Sequence, residues 1–434
     1  MYKRKAGLYA QHCGVNEGRI VLHSDLNNFF ASVECKRRPE LSCFPVAVCG
    51  SVKDRHGIVL AKNMKAKNAG VKTGQAIWQA KQLCPSLMVV EPDYNEYMYY
   101  SGMVRGIYSQ YSDMVEPFGL DEAWIEVTGD RHIKTLSDGY ELAEEIRKRV
   151  YRETGLTVSI GVSDNKVFAK LASDYKKPDA VTVFGPDNYF ETVSKIDVGE
   201  LLFVGRSSRE RLRMYGINTI GDAANAGEEF LKSILGKNGE RICTDACGFD
   251  LSRVTRVGEV GQIKSVGNSV TTCHDLETFE EISSVFHTLC EKVAWRLRSA
   301  GFLCTTISIS VRDTSLCTTE HQCGIEPTDN ALEIAKTAIR LYKEKYAENT
   351  SARSVGVRTS NLLGKNTACQ ISLFDTCVQK REKRRILDNT VDQIRKKYGI
   401  NSVKRAVMCN EQTLDYRDFA FFRERHSVAQ ARNF

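Results

Sequence analysis

A chain of 434 residues, 42% of them hydrophobic, is too long for one ordinary core and apolar enough to fill several, so roughly three or four domains are expected. It has no apolar run of about 18 residues and its N-terminal stretch lacks the apolar centre of a secretory signal, which sets aside membrane-spanning and secreted classes and predicts a soluble, cytoplasmic protein. The formal net charge of +7 is matched by residues 376–410 alone, which hold ten Lys or Arg against three Asp or Glu, so overall charge identifies no partner.

In chain order, residues 19–24 predict a short buried strand ending at Asp25, and a helix follows from Asn27 to Arg37. Compact strands are expected at 45–50 and 57–61, with a helix at 76–83 closed by Pro85. A tyrosine-rich helix over 94–111 precedes a strand at 114–116, a turn at Pro117-Phe118-Gly119 and a strand at 123–127. Together the strands make a hairpin with Asp121 and Glu122 at its bend. An amphipathic helix at 137–153, a strand at 156–162 and a helix at 165–174 complete a split βαβ sheet.

Beyond Pro186 the pattern is wholly helical as far as Gly248, and 251–261, with alternating charges and two glycines, reads as a linker. Strands near 263–273, 303–312 and 353–360, with helices at 278–299 and 329–346, give a second α+β unit. Within it, Cys317, His321 and Cys323 lack the paired close spacings of a zinc site and read as loop residues. The 15 cysteines contain no Cys-x-x-Cys pair and read as small buried hydrophobes. A tail begins near 365, and its basic helical stretch at 384–398 reads as a solvated charged face.

Asp25 closes a buried strand, whereas Asp121 and Glu122 occupy a hairpin bend much later in the chain. Neighbours on a regular strand face opposite sides, so both hairpin acids serve one site only where the backbone bends, which Gly119 permits. Oxygen ligands without Cys or His favour magnesium over zinc, and a pair of such ions suits phosphoryl transfer. On spacing alone, the three acids also fit ordinary solvated loop positions.

His23-Ser-Asp-Leu-Asn-Asn-Phe-Phe-Ala-Ser-Val-Glu34 resembles the first motif of Y-family translesion DNA polymerases, and Gly119-Leu-Asp-Glu-Ala-Trp-Ile-Glu126 resembles their acidic hairpin. Ser159-Ile-Gly-Val-Ser-Asp-Asn-Lys-Val-Phe-Ala-Lys-Leu-Ala-Ser-Asp174, with Lys177-Pro178, is similar to the family's palm segment. With Gly70-Val-Lys-Thr-Gly74 and Lys264-Ser-Val-Gly267, the resemblance spans residues 19 to 374. It is nearest to the branch found in Gram-positive bacteria and their mobile elements.

The resemblance implies an α+β multidomain, right-hand-like polymerase. Its palm would comprise 19–28 and 93–184, small fingers 29–92, a helix-hairpin-helix thumb 185–250 and a linker 251–261. An α+β little-finger domain would follow at 262–366, then a clamp-binding peptide and basic tail at 367–434. It implies low-fidelity, template-directed synthesis past damaged bases in an SOS-type repair response, with primer-template DNA and dNTPs as substrates and two Mg2+ ions as cofactors. By the same resemblance Asp25 and Asp121 bridge both ions, Glu122 completes the site that activates the primer 3′-hydroxyl, and the Leu26 carbonyl ligates the nucleotide-bound ion. Phe30 falls at the steric gate against ribonucleotides, with Phe29 beside it in the substrate pocket, and Lys67 and Lys177 contact the triphosphate.

Two segments depart from the family pattern. Met64-Lys-Ala-Lys67 replaces Tyr-Glu-Ala-Arg, leaving a point charge in place of a bidentate fork, and Leu202-Phe-Val-Gly205 replaces Pro-Gly-Ile-Gly in the thumb hairpin. Gln370-Ile-Ser-Leu-Phe374 resembles the peptide with which bacterial relatives hold the sliding clamp, anchored by Gln370, Leu373 and Phe374. The resemblance leaves room for an accessory SOS-type subunit. Two rivals stay open on the residues alone: a nucleotidyl cyclase with a palm-like sheet, and a catalytically weak subunit that binds DNA and the clamp.

Overall fold

Val21-Leu-His-Ser-Asp-Leu26 is buried on both faces, as a central strand must be, and forms β1. In the computed structural model, residues 18–51, 57–129, 132–250, 252–259, 261–346, 351–365, 367, 378–399 and 402–408 are described. The chain divides into two compact units, Met1–Gly50 with Ile58–Glu259, and Val260–Phe434 with Ser51–Gly57. No helix among the described residues is long and apolar enough to cross a membrane.

In the first unit β1 (Val21–Leu26) is followed by α1 (Phe29–Arg37), β2 (Val46–Cys49), β3 (Val59–Lys62), α2 (Met64–Asn68), α3 (Ile77–Leu83) and β4 (Met88–Val90). Next come α4 (Tyr94–Tyr108), β5 (Val115–Phe118), β6 (Glu122–Glu126), α5 (Leu136–Thr154), β7 (Val158–Ser163), α6 (Lys166–Tyr175) and β8 (Val181–Val183). Pro117 and Phe118, expected in the turn, extend β5, so the hairpin bend is tighter than the sequence suggested. A five-stranded sheet runs β5-β6-β1-β7-β8, and a separate three-stranded sheet runs β3-β2-β4.

Period-two alternation sorts the side chains of β1. Leu22 and Leu26 enter the main core with Ala143 and Ile146 of α5, and Ser24 bonds to Tyr108 of α4 at 2.7 Å. Val21 and His23 face α6 instead, through Ala169 and Ser173. That helix lies directly on the sheet because β7 carries Gly161, where a Cβ would fall 1.9 Å from the Ala169 carbonyl oxygen and 2.4 Å from the Ser173 nitrogen. Any side chain at 161 would push α6, and every residue it carries, away from β1.

Four helices complete the first unit: α7 (Arg206–Met214), α8 (Ile220–Ala226), α9 (Glu228–Leu235) and α10 (Lys237–Ala246). Thr219 and Asp222 form a capping box that starts α8. Phe203 adopts the left-handed backbone (φ 67°), a conformation that costs a side chain about 1–2 kcal/mol. Its ring is covered by the Arg241 guanidinium 3.8 Å from the centroid, a contact that offsets part of that cost.

The segment expected to be a linker is strapped down over 252–257. Val254 is buried, the Thr255 amide donates to Glu116 Oε2 at 2.9 Å, and the Val257 amide donates to the Asp113 carbonyl at 2.9 Å. Its alternating charges and glycines suggest a linker, but one apolar anchor and the half-buried Glu116–Lys166 pair hold it instead.

The second unit comprises β9 (Ser265–Leu276), α11 (Phe279–Ala300), β10 (Phe302–Asp313), β11 (Thr318–Thr328), α12 (Ala331–Lys345), β12 (Ala352–Gly364) and α13 (Val378–Tyr398). Its sheet runs β11-β10-β12-β9, all antiparallel, over a core of Phe286, Leu289, Ile307, Ile309, Ile334 and Leu341. The stretch holding Cys317, His321 and Cys323, expected as a loop, is largely the edge strand β11. An edge strand buries little and carries polar residues, which masked its alternation.

The basic stretch expected to be solvated starts earlier, at Val378, and docks on the unit. Arg298 pairs with Asp392 at 2.6 Å and Asp388 at 3.5 Å, and Glu291 pairs with Arg395 at 2.8 Å and with Arg405. Asn330 donates to Asp388 at 2.7 Å, and Ser284 donates to the Val407 carbonyl at 3.0 Å. Counting net charge concealed this, because every buried cation here has an acid opposite it.

Candidate active site

β1 and β6 run antiparallel with Asp25 directly opposite Glu122, so both side chains rise from one edge on the same face. Asp121 occupies the preceding turn, where Gly119 takes φ 87° and reverses the chain. The bend is clamped from α4, where Arg105 donates to the Gly119 carbonyl and Ser101 to the Leu120 carbonyl, and from β1, where the Leu26 amide donates to the Asp121 carbonyl at 3.0 Å. The three acids proposed from sequence are therefore brought to one place. Leu26, at the end of β1, has its side chain in the core.

Two lysines enter the cluster. Lys170 Nζ lies 2.9 Å from Glu122 Oε2 and 3.4 Å from Asp25 Oδ2, and Lys177 Nζ lies 2.7 Å from Asp25 Oδ2. Both also pair with Asp174, at 3.2 and 2.7 Å. His23 Nε2 is 3.2 Å from Glu122 Oε2, while its Nδ1 is 2.9 Å from Ser173 Oγ. The Ser173 hydroxyl in turn donates to the Lys170 carbonyl at 2.7 Å.

Burial and then the Glu122 charge push the Asp25 carboxyl well above the usual range, against the pull of Lys177 and Lys170. The same two causes, burial first, raise Asp121. Burial also opposes ionisation of Glu122, yet the His23 hydrogen bond and the Lys170 charge outweigh it and hold Glu122 low. Burial lowers the His23 imidazole to about 4.

Buried oxygen donors that repel one another are what a hard divalent cation relieves, so the residues present fit an ion of that class. Among the described residues no three Asp, Glu, His or Cys side chains are grouped closely enough to hold a metal ion as they stand; ammonium groups stand among the acids instead.

Phe30 is half-buried and stacks on Tyr97 with centroids 4.1 Å apart and planes 9° off parallel, with Tyr94 edge-on at 5.8 Å. Tyr97 is fixed in turn by donating to Glu34 at 2.7 Å. Phe29 is buried and packs against Phe30 and Tyr97, so it supports those rings rather than presenting a surface of its own. Lys177 is held beside β1 because the Asp179 amide donates to the Asn27 side chain at 2.9 Å. Lys67 is exposed on α2, and among the described residues no ion pair or hydrogen bond links it to the acids. Gln370, Leu373 and Phe374 lie outside the described residues.

Sequence reasoning passed over Lys170, Asp174, His23, Tyr97, Ser101 and Arg105. A signal existed for Lys170: it is a cation among the apolar residues of α6, four positions before Asp174, where both share a helix face. Arg105 and Ser101 act through backbone carbonyls, which no motif records.

Residues 24–174 match the impB/mucB/samB family, and residues 263–373 match the C-terminal domain of that family. The DNA polymerase IV of Acetivibrio thermocellus is 45% identical over 398 residues, covering 92% of this chain and 99% of that protein. DNA polymerase IV 1 of Bacillus subtilis is 34% identical, covering 91% and 94%. A solved Y-family DNA polymerase chimera superposes with a TM-score of 0.69 over 79% of this chain and 99% of its own, at 24% identity. With both family segments matched in order, and a relative this similar along nearly its whole length, the chain belongs to the impB/mucB/samB family and is a Y-family translesion DNA polymerase.

Proposed function

We propose that Asp25, Asp121 and Glu122 hold two magnesium ions and that the chain joins dNTPs to a primer 3′-hydroxyl on template DNA, past damaged bases as well as intact ones. The observation that carries this reading is the meeting of the three acids at the β1–β6 edge, beside Lys177. Bound by these oxygens, the ions would supply the charge neutralisation that in-line phosphoryl transfer needs. The Leu26 carbonyl, at the same strand end, is a further oxygen donor within this proposal.

Lys177 engages Asp25 and Asp174, which leaves one of its three N–H donors for a phosphate oxygen. Lys67, exposed on α2, adds a point charge where family members use a bidentate arginine. Phe30, locked by Tyr97, makes a wall that a 2′-hydroxyl would strike. Templated primer extension should need a divalent cation and prefer deoxyribonucleotides, and Phe30→Ala should cut that preference at least about tenfold. An unchanged ratio of deoxyribonucleotide to ribonucleotide incorporation would reduce Phe30 to a packing residue.

The peptide Gln370–Phe374 is proposed to bind the sliding clamp, with Leu373 and Phe374 in an apolar pocket and Gln370 making a polar contact. Removing both apolar anchors should cost on the order of 2–4 kcal/mol of clamp affinity. Leu373→Ala with Phe374→Ala should therefore spare distributive synthesis on a short primer and abolish stimulation by a loaded clamp. Equal stimulation of variant and wild type would refute the docking role.

A further inference from the structure

Lys170 projects from α6 into the acid cluster with its side chain 13% exposed. Its Nζ reaches Glu122 Oε2 at 2.9 Å, Asp25 Oδ2 at 3.4 Å and Asp174 Oδ2 at 3.2 Å. Three carboxylates thus surround one ammonium, with a hydrogen bond to Asp25 and ion pairs to Glu122 and Asp174. The placement is built in, because Gly161 lets α6 lie against the sheet at Ala169 and Ser173, on either side of this lysine.

Two of those carboxylates belong to the proposed metal site, and the third does not. Asp174 sits one helical turn further along α6, 38% exposed, and Lys177 also holds it at 2.7 Å. A lysine side chain is long and jointed enough to keep one partner while releasing others. A divalent cation attracts a carboxylate more strongly than an ammonium at the same distance, but it must still displace the ammonium from the same oxygens.

We propose that Lys170 is an exchangeable counter-ion: in the metal-free protein its ammonium neutralises Asp25 and Glu122, and when a divalent cation takes those oxygens it withdraws onto Asp174. Lys170 is then a competitor of the cation, and Asp174 the positioning residue that receives it. The inference rests on the metal-binding reading of Asp25, Asp121 and Glu122.

The test uses the full chain, with Ca2+ alone as an oxygen-seeking probe, read by titration calorimetry and by thermal melts with and without chelator. Lys170→Gln should lower the melting temperature of the metal-free protein, tighten Ca2+ binding about tenfold, and regain the lost stability when Ca2+ is added. Lys170→Arg, which keeps the charge, should not tighten binding. Asp174→Asn should weaken Ca2+ binding in the wild-type background and have little effect in Lys170→Gln, since its role runs through the lysine. Unchanged or weaker Ca2+ binding by Lys170→Gln overturns the proposal, as does an equal effect of Asp174→Asn in both backgrounds. Should Lys170→Gln fold only with Ca2+ present, the counter-ion role is supported directly. Failure of the wild-type chain to bind Ca2+ at all, with Glu122→Gln indistinguishable from it, would instead strike the metal-binding reading itself.

Discussion

Asp121→Ala and Glu122→Ala should each reduce magnesium-dependent primer extension by at least about a thousandfold, a loss of roughly 4 kcal/mol of transition-state stabilisation. The effect should fall on chemistry rather than on folding. Asp121 is an ionisable group raised by burial and by the Glu122 charge, so its removal relieves repulsion in the metal-free protein. Glu122 differs, because it is the partner of Lys170 and lies against His23, and its removal leaves both facing a gap. Thermal melts without metal should therefore separate the two variants: Asp121→Ala at or above wild type, Glu122→Ala below it. Primer-template affinity measured without nucleotide should stay within a few-fold of wild type in both. Extension at wild-type rates by either variant would remove these acids from the mechanism.

The second large effect lies in the other unit. Glu291→Ala should destabilise that unit by about 3–5 kcal/mol, because it leaves Arg395 and Arg405 without the carboxylate they share. The side chains of Glu291 and Arg395 are 8% and 7% exposed, so water cannot readily substitute for the lost partner. Arg298→Ala should act similarly by abandoning Asp392 and Asp388. Urea unfolding provides the measurement, and the transition assigned to the second unit should move to lower urea while the first unit's transition stays. A shift below about 1 kcal/mol would mean that α13 contributes only surface pairs.

The central sheet was legible because its signals are local. β1 is a short apolar run, the acidic hairpin is bounded by Gly119, and the helices α5 and α6 begin at Thr135 and Asn165, residues whose side chains accept backbone N–H groups. Asp25, Asp121 and Glu122 could be named because strand ends and a bend dictate where their side chains go. What stayed hidden depends on partners far away in sequence. Lys170 meets Asp25 across 145 positions, and Arg395 meets Glu291 across 104. The 252–257 segment reads as a linker and α13 as a solvated face for one reason: counting charges gives their sum and not their pairing. β11 was missed because an edge strand with one wet face carries too few apolar residues to show its period.

The most direct test is extension of a labelled primer by the purified chain, with magnesium and all dNTPs, on an undamaged template and on one carrying a single abasic site. The account predicts extension to the end of the first template and insertion opposite the lesion with continuation beyond it on the second, both lost when magnesium is chelated. No extension on either template, with primer-template still bound, would contradict it and leave the chain as a DNA-binding relative of a polymerase.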